Sequence, residues 1–174
     1  GLALVVLFMI VMYGIPGVAA SLALGVYTTL VISTVYLFEV TLTLPGIAGI
    51  ILGIGMAVDA NVIVFSRIRE EIAAGKSVLT AMKIGFQKAL SAILDGNITT
   101  FIAALVLIAL GSGTVKGFAY TLMISIIFSM FTALIVTRWI LYAMYGIGIR
   151  NEKFYGKAKE RKVIKFIGKK GIFF

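Results

Sequence analysis

Asp59 lies in the middle of a long apolar segment, and this position makes it the first candidate for chemistry. A helix over residues 46–66 would place it roughly 20 Å into a hydrocarbon core that is about 30 Å thick, past the midplane. An ionised carboxylate at that depth costs about 2.5–3.5 kcal/mol on insertion scales. The sequence therefore predicts a buried carboxylate that takes up and releases protons. A carboxylate permanently paired with a neighbouring helix is the alternative. Because no Lys or Arg of this sequence lies at that depth, the cation would come from another chain or from a part of the protein outside this sequence.

Four polar residues stand close together where a later apolar segment begins: Asp95, Asn97, Thr99 and Thr100. A helix N-cap explains one of them, since Asp and Asn side chains accept hydrogen bonds from the free amides at a helix start. One cap does not account for all four. We expect Thr99 and Thr100 to lie at a depth similar to that of Asp59 and to line a proton or water path, with Asp95 and Asn97 supporting its entrance.

Small residues accompany Asp59 on the same predicted helix. Gly49 and Gly53 are four residues apart, and Gly55 lies one turn before Asp59. This spacing is typical of helices that pack closely in membranes, and a helix that slides or admits water is a compatible second interpretation. Asn61 is not expected to contact Asp59, because two residues correspond to about 200° of rotation on a helix. We expect it to form a hydrogen bond to a different helix.

Composition indicates that lipid surrounds most of the chain. Hydrophobic residues make up 61% of the 174 residues and the mean hydropathy is +1.11, against roughly 45–50% apolar residues in soluble domains. The chain has no Cys and no His, which excludes disulfides and the commonest metal ligands. The sequence offers no nucleophile–base pair, metal-ligand cluster or complete phosphate-binding loop, so we predict neither an enzyme nor a cofactor or metal. A proton gradient is the expected source of energy.

The apolar pattern predicts an all-α membrane protein. Five transmembrane helices are expected, with the first truncated, at about residues 1–13, 18–38, 46–66, 96–112 and 117–142. An amphipathic helix over residues 67–94 would lie on the membrane surface or on the bundle. These elements divide the chain into a transmembrane domain, residues 1–148, and a basic tail, residues 149–174.

The distribution of positive charge predicts the orientation. Of the 16 Lys and Arg residues, only Lys116 lies on the side opposite to the amphipathic segment and the tail. By the positive-inside rule that segment and the C-terminus are cytoplasmic, and the N-terminus of this sequence is periplasmic, in the inner membrane of the cell. Anionic lipids at the basic tail then explain the net charge of +9, and no nucleic-acid partner is predicted.

Several motifs in order resemble the SecD family of protein-export membrane subunits. The resemblance covers roughly residues 46–138, and weakly the spans before them. The motifs are residues 55–71 (GMAVDANVIVFSRIREE), 85–86 (GF), 95–100 (DGNITT), 117–122 (GFAYTL), 129–133 (SMFTA) and 136–138 (VTR).

The resemblance implies one half of the pseudo-symmetric membrane domain of the resistance-nodulation-division superfamily, with six spans per subunit and SecF as the paired subunit. It also implies a large periplasmic domain that holds the preprotein emerging from the SecYEG translocon and moves by using the proton motive force. The proton-path aspartate of the family corresponds to Asp59. Two other hypotheses stay open: a proton-driven exporter of small molecules or lipids from the same superfamily, and a scaffold subunit of the translocon that transports nothing.

Overall fold

A computed structural model describes residues 1–40, 42–148 and 155, and every regular element in these ranges is helical. The predicted all-α bundle is therefore confirmed. The elements are α1 (Leu2–Tyr13), α2 (Ile15–Leu37), α3 (Leu44–Ala73), α4 (Val78–Leu110), α5 (Thr114–Phe131), a π-helical segment (Thr132–Val136) and α6 (Thr137–Gly146).

Among the described residues, four helices are long and apolar enough to cross a membrane: α2, α3, α4 and the continuous 33-residue helix Thr114–Gly146. The α1 helix has 12 residues, whereas a span needs about 20. It packs antiparallel against α2 at Gly17, where the Met9 carbonyl occupies the place that a Cβ would take. The chain is thus a membrane protein built from helices that alternate in direction.

Arg69 joins the helix ends on one side of the bundle, which we call the basic end. Its Nη2 donates to the Met12 carbonyl oxygen at 2.7 Å, and its guanidinium carbon lies 4.7 Å from the centroid of the Tyr13 ring. The cation therefore satisfies a free carbonyl at the C-terminus of α1, where the helix dipole favours positive charge. We call the other side of the bundle the opposite end. There α2 and α4 end, and α3 and α5 begin.

One continuous helix replaces two predicted elements. We expected an amphipathic helix over residues 67–94 and a separate span over residues 96–112, but α4 runs through both, and residues 67–73 extend α3. The Ser77 side chain caps the start of α4, so the N-cap interpretation of the polar cluster at Asp95 is wrong. The helix accommodates three of the polar residues there, since the side chains of Asn97, Thr99 and Thr100 donate to carbonyl oxygens one turn earlier in α4.

The amphipathic part of α4 lies on the bundle, against α3. A Cβ built on Gly85 would stand 2.6 Å from Ile68 Cγ1 and 2.9 Å from its backbone nitrogen, so only a glycine allows this approach. Glu71 strengthens the same contact: it is 4% exposed, pairs with Lys76, and accepts from Lys88 Nζ at 2.6 Å. The placement on the bundle, rather than on the membrane surface, follows from these contacts.

The α3 helix occupies the centre of the bundle and packs in parallel against α5 and antiparallel against α4. Its glycines at positions 46, 49 and 53 face α5 in sequence order. The predicted tail, residues 149–174, lies outside the described residues except for Tyr155, which is buried in the core cluster that also contains Phe65 and Leu141.

Candidate functional site

A groove of about 210 Å³ between α3 and α4 contains Asp59 together with Asn97 and Thr100. Because the two helices run antiparallel, residues distant in sequence lie here at one level of the bundle. Asp59 stands fifteen residues after Leu44, or about 22 Å along the helix, which is within the hydrocarbon core. The other lining residues are apolar or small: Met56, Ala60, Ile63, Ala92, Ile93 and Gly96.

The Asp59 side chain is exposed on the outer surface of the bundle. This corrects the prediction of a buried carboxylate, because the helices of this chain wall one side of the group and leave the other side open. Among the described residues, Asp59 has no hydrogen bond and no salt bridge. An ionisable group at that depth has to be neutral, hydrated or covered by a group from outside the chain.

Asn97 and Thr100 each donate one hydrogen bond to a carbonyl oxygen of α4. Asn97 Nδ2 donates to the Ile93 carbonyl oxygen at 2.7 Å, and Thr100 Oγ1 donates to the Gly96 carbonyl oxygen at 3.1 Å. Asn97 Oδ1 and the lone pairs of Thr100 Oγ1 then remain as acceptors, and the second N–H of Asn97 Nδ2 remains as a donor, with no partner in the described part of the chain. These groups can exchange hydrogen bonds with a carboxyl group or with a water molecule beside it.

Asp95 and Thr99 do not line the groove. Both are exposed on α4, and Thr99 Oγ1 donates to the Asp95 carbonyl oxygen at 3.1 Å within the same helix. The sequence suggested a single cluster because the four polar residues are close together. Helical rotation separates them, since only residues three or four apart, such as Asn97 and Thr100, share a side of the helix.

Asn61 fixes the rotation of α3 from the side facing away from Asp59. It is 2% exposed, its Oδ1 accepts from Thr137 Oγ1 at 2.7 Å, and its Nδ2 donates to the Ala57 carbonyl oxygen at 2.9 Å. Asn61 and Asp59 differ by about 200° of rotation, so the contact with Thr137 turns Asp59 toward the groove. The bond joins α3 to α6 across the interior of the bundle.

The contact made by Thr137 and the π-helical segment before it were not predicted from the sequence. The Thr137 amide donates to the carbonyl of Thr132, five residues earlier, and this widened turn ends where Thr137 contacts α3. Single π-helical turns are frequent at functional sites. The hydropathy of the sequence does not reveal a π-helical turn. A polar residue, Thr137, in an apolar segment was the feature that could have indicated one.

The glycines near Asp59 serve two different surfaces. Gly49 and Gly53 face α5, and Ser125 occupies the place that a Cβ on Gly53 would take. Gly55 is exposed on the open side with Asp59, and a Cβ built there meets nothing within 4 Å. The predicted packing role of Gly55 is therefore not met by the helices of this chain.

Replacing Thr137 with valine is expected to lower the free energy of unfolding of the full-length protein by about 1 kcal/mol, because Asn61 Oδ1 loses its donor inside the bundle. Unfolding in mixed micelles measures the change. Thr99→Val is the matched control, since the exposed Thr99 hydroxyl bonds only to its own helix. Equal losses in the two variants would show that the α3–α6 bond contributes nothing specific.

Comparison with known proteins gives a consistent family relationship. A family model described as protein export membrane protein SecD/SecF, C-terminal, matches residues 1–146. The protein translocase subunit SecD of Acidaminococcus fermentans is 48% identical over 169 residues, covering 93% of this chain and 40% of the relative. The protein of the same name from Synechocystis is 52% identical over 141 residues, covering 81% of this chain and 30% of the relative.

A solved structure shares the fold. The crystal structure of SecDF, a translocon-associated membrane protein from Thermus thermophilus, superposes with a TM-score of 0.82 at 38% identity, covering 85% of this chain and 21% of that protein. The chain therefore spans less than half the length of these relatives.

Proposed function

Since this chain belongs to the SecD/SecF family of protein-export membrane proteins, we propose that it is the membrane part of a SecD subunit that assists Sec-dependent protein export. In this proposal, proton passage at Asp59 drives the motion of a periplasmic domain elsewhere in the full-length protein. The observation that carries it is an ionisable side chain about 22 Å along a helix long enough to span a membrane, in an open groove, with no partner among the described residues.

The geometry also supports a paired subunit at this groove. An open side with Gly55 and Asp59 allows close approach of another helix, and a cation on that helix would stabilise the ionised carboxylate. Protonation would remove the attraction and weaken the contact. Alternation between these two states gives a cycle in which proton uptake and release change how the two subunits pack.

The proposed partners follow from the family. SecF would cover the Asp59 side of the bundle, SecYEG would supply the channel, and the preprotein would be held by the periplasmic domain. We place the protein in the inner membrane with the basic end in the cytoplasm, because Arg67, Arg69, Lys76, Lys83 and Lys88 lie around that end. Anionic lipids would contact the basic tail.

Preprotein export by membrane vesicles tests this function. Vesicles with SecYEG are prepared with and without the full-length SecD–SecF complex, at constant ATP, and the proton gradient is collapsed with an ionophore. We expect the increment of export that depends on the complex to disappear without the gradient. An increment that persists would support a scaffold instead. No increment under either condition would favour an exporter of other substrates.

Labelling of single cysteines tests the orientation, since this chain has no native Cys. Ala74 and Ser112 are exposed, in the connections at the basic end and the opposite end respectively. We expect a membrane-impermeant maleimide added outside intact cells to label Ser112→Cys and to spare Ala74→Cys until the membrane is opened. The reversed pattern would overturn the orientation.

A further inference from the structure

A second groove, of about 240 Å³, lies between the first half of α4 and the segment that joins α5 to α6. It is separate from the groove at Asp59. The residues that line it divide into polar and apolar groups: Lys83, Gln87 and Arg138, and Phe86, Leu90 and Leu134. A cavity that combines two cations with an apolar wall on the outside of a membrane bundle has the chemistry of a lipid site.

The two cations of this groove have no carboxylate partner in the described part of the chain. The salt bridges there join Arg67 to Glu70 and Glu71 to two other lysines, and none involves Lys83 or Arg138. Both side chains are exposed. Two unpaired positive charges on one cavity favour an anionic ligand.

Aromatic rings hold the Arg138 guanidinium beside the groove. Its central carbon lies 5.9 Å from the Phe86 ring centroid and 5.7 Å from the Tyr142 ring centroid. Cation–π contacts attract the positive charge to the rings and need no hydrogen bond from its N–H groups to an oxygen. None of these N–H groups has a hydrogen-bond partner among the described residues. They can therefore bind two oxygens of a phosphate.

On both helices, the charged residue of the groove lies nearer the basic end than the leucine does. Counted from the opposite end, Leu90 and Leu134 each lie about 30 Å along their helices, at the edge of a hydrocarbon core about 30 Å thick. On the same scale Arg138 lies at about 36 Å and Lys83 at about 40 Å, at the level of the headgroups. The charges thus face the headgroup layer, and the leucines face the start of the acyl chains.

We propose that this groove binds one anionic phospholipid, with its phosphate between Lys83 and Arg138 and the first part of an acyl chain along Leu90 and Leu134. Gln87 provides an additional donor for the headgroup. This site lies on the helical bundle and is distinct from contact between lipids and the basic tail. It does not depend on the proposed proton coupling.

Native mass spectrometry of the full-length SecD–SecF complex tests the site, with phosphatidylglycerol and phosphatidylcholine of identical chains titrated separately. We expect tighter retention of phosphatidylglycerol. Each charge at an anionic-lipid contact contributes about 1 kcal/mol, so Lys83→Gln and Arg138→Gln should each weaken retention about fivefold, and the double variant about 25-fold. Lys83→Gln leaves the aromatic contacts of Arg138 intact, so a loss of folding cannot account for its effect.

Arg67→Gln is the matched control, because Arg67 is also exposed at the basic end but pairs with Glu70 at 2.8 Å and does not line the groove. Leu134→Trp fills the groove while keeping both charges, and it should also reduce retention. Equal retention in Arg67→Gln and Arg138→Gln overturns the proposal. Displacement of the lipid by millimolar inorganic phosphate would indicate a phosphate site alone, and loss of the SecF subunit from Lys83→Gln would indicate a protein contact; either result also overturns it.

Discussion

Replacing Asp59 with asparagine is expected to abolish the gradient-dependent part of preprotein export in vesicles and leave the protein folded. The amide has nearly the same shape as the carboxyl group but does not ionise, so it cannot take up and release a proton. Asp59 is exposed and makes no hydrogen bond or salt bridge among the described residues, so the substitution removes no contact within the bundle. Export should fall to the rate of vesicles that lack the complex.

Asp95→Asn is the matched control for this experiment. Asp95 is another exposed carboxylate of the same chain, on α4, but it does not line the groove. We expect it to keep the full increment, and Asp59→Glu to keep part of it because the group stays ionisable. If Asp59→Asn exports at the normal rate in an intact SecD–SecF complex, the coupling role of Asp59 is wrong.

Replacing Gly53 with alanine is expected to lower the free energy of unfolding of the full-length protein by about 1–3 kcal/mol, because the new methyl group overfills a packed interface. Ser125 and the Tyr27 hydroxyl both occupy the place of that Cβ, and both residues are buried. The helices α3 and α5 must therefore move apart around the centre of the bundle. Unfolding in mixed micelles, followed by circular dichroism, measures the change.

Gly55→Ala is the control for this prediction, since it adds the same methyl group two residues further along α3. A Cβ at Gly55 meets nothing within 4 Å, so we expect a change within about 0.5 kcal/mol in the protein without SecF. Ser125→Gly should relieve part of the strain in Gly53→Ala. Similar losses at Gly53 and Gly55 would mean that steric overlap with α5 is not the cause.

The two glycine variants also separate packing within the chain from packing against a partner. In the SecD–SecF complex, Gly55→Ala would place a methyl group next to Asp59 on the open side of α3. A stable protein that assembles less well with SecF would support the proposed contact there. Gly53→Ala acts at a buried interface between α3 and α5 and should destabilise the protein whether or not SecF is present.

The all-α membrane class and the family resemblance follow from the sequence without a structure. Apolar segments and the low content of charged residues indicate spans directly, because the cost of placing charge in lipid is large and local. The end of the first span was also predicted, at about residue 13, and α1 ends at Tyr13. Proline is tolerated at the start of a helix, and Pro16 lies in the first turn of α2. The rotation that separates Asn61 from Asp59 follows from helix geometry alone.

Helix boundaries near polar residues were not predictable in the same way. Asp95, Gly96 and Asn97 have the composition of a helix start, yet α4 continues through them because their neighbours pack on α3 and the Asn97 side chain bonds within the helix. Tertiary contact overrides local preference here. The π-helical segment likewise depends on the fit of Thr137 to Asn61, which hydropathy does not describe.

The depth of Asp59 in the membrane and its neighbours in the bundle have different origins. The sequence gives its depth, because depth is a count of residues along an apolar helix. Its surroundings follow from tertiary contacts, since they depend on how α3 is rotated and on which helix packs beside it. The bond between Asn61 and Thr137 and the glycine contacts with α5 set that rotation, and they place Asp59 beside Asn97 and Thr100 and away from Asp95 and Thr99.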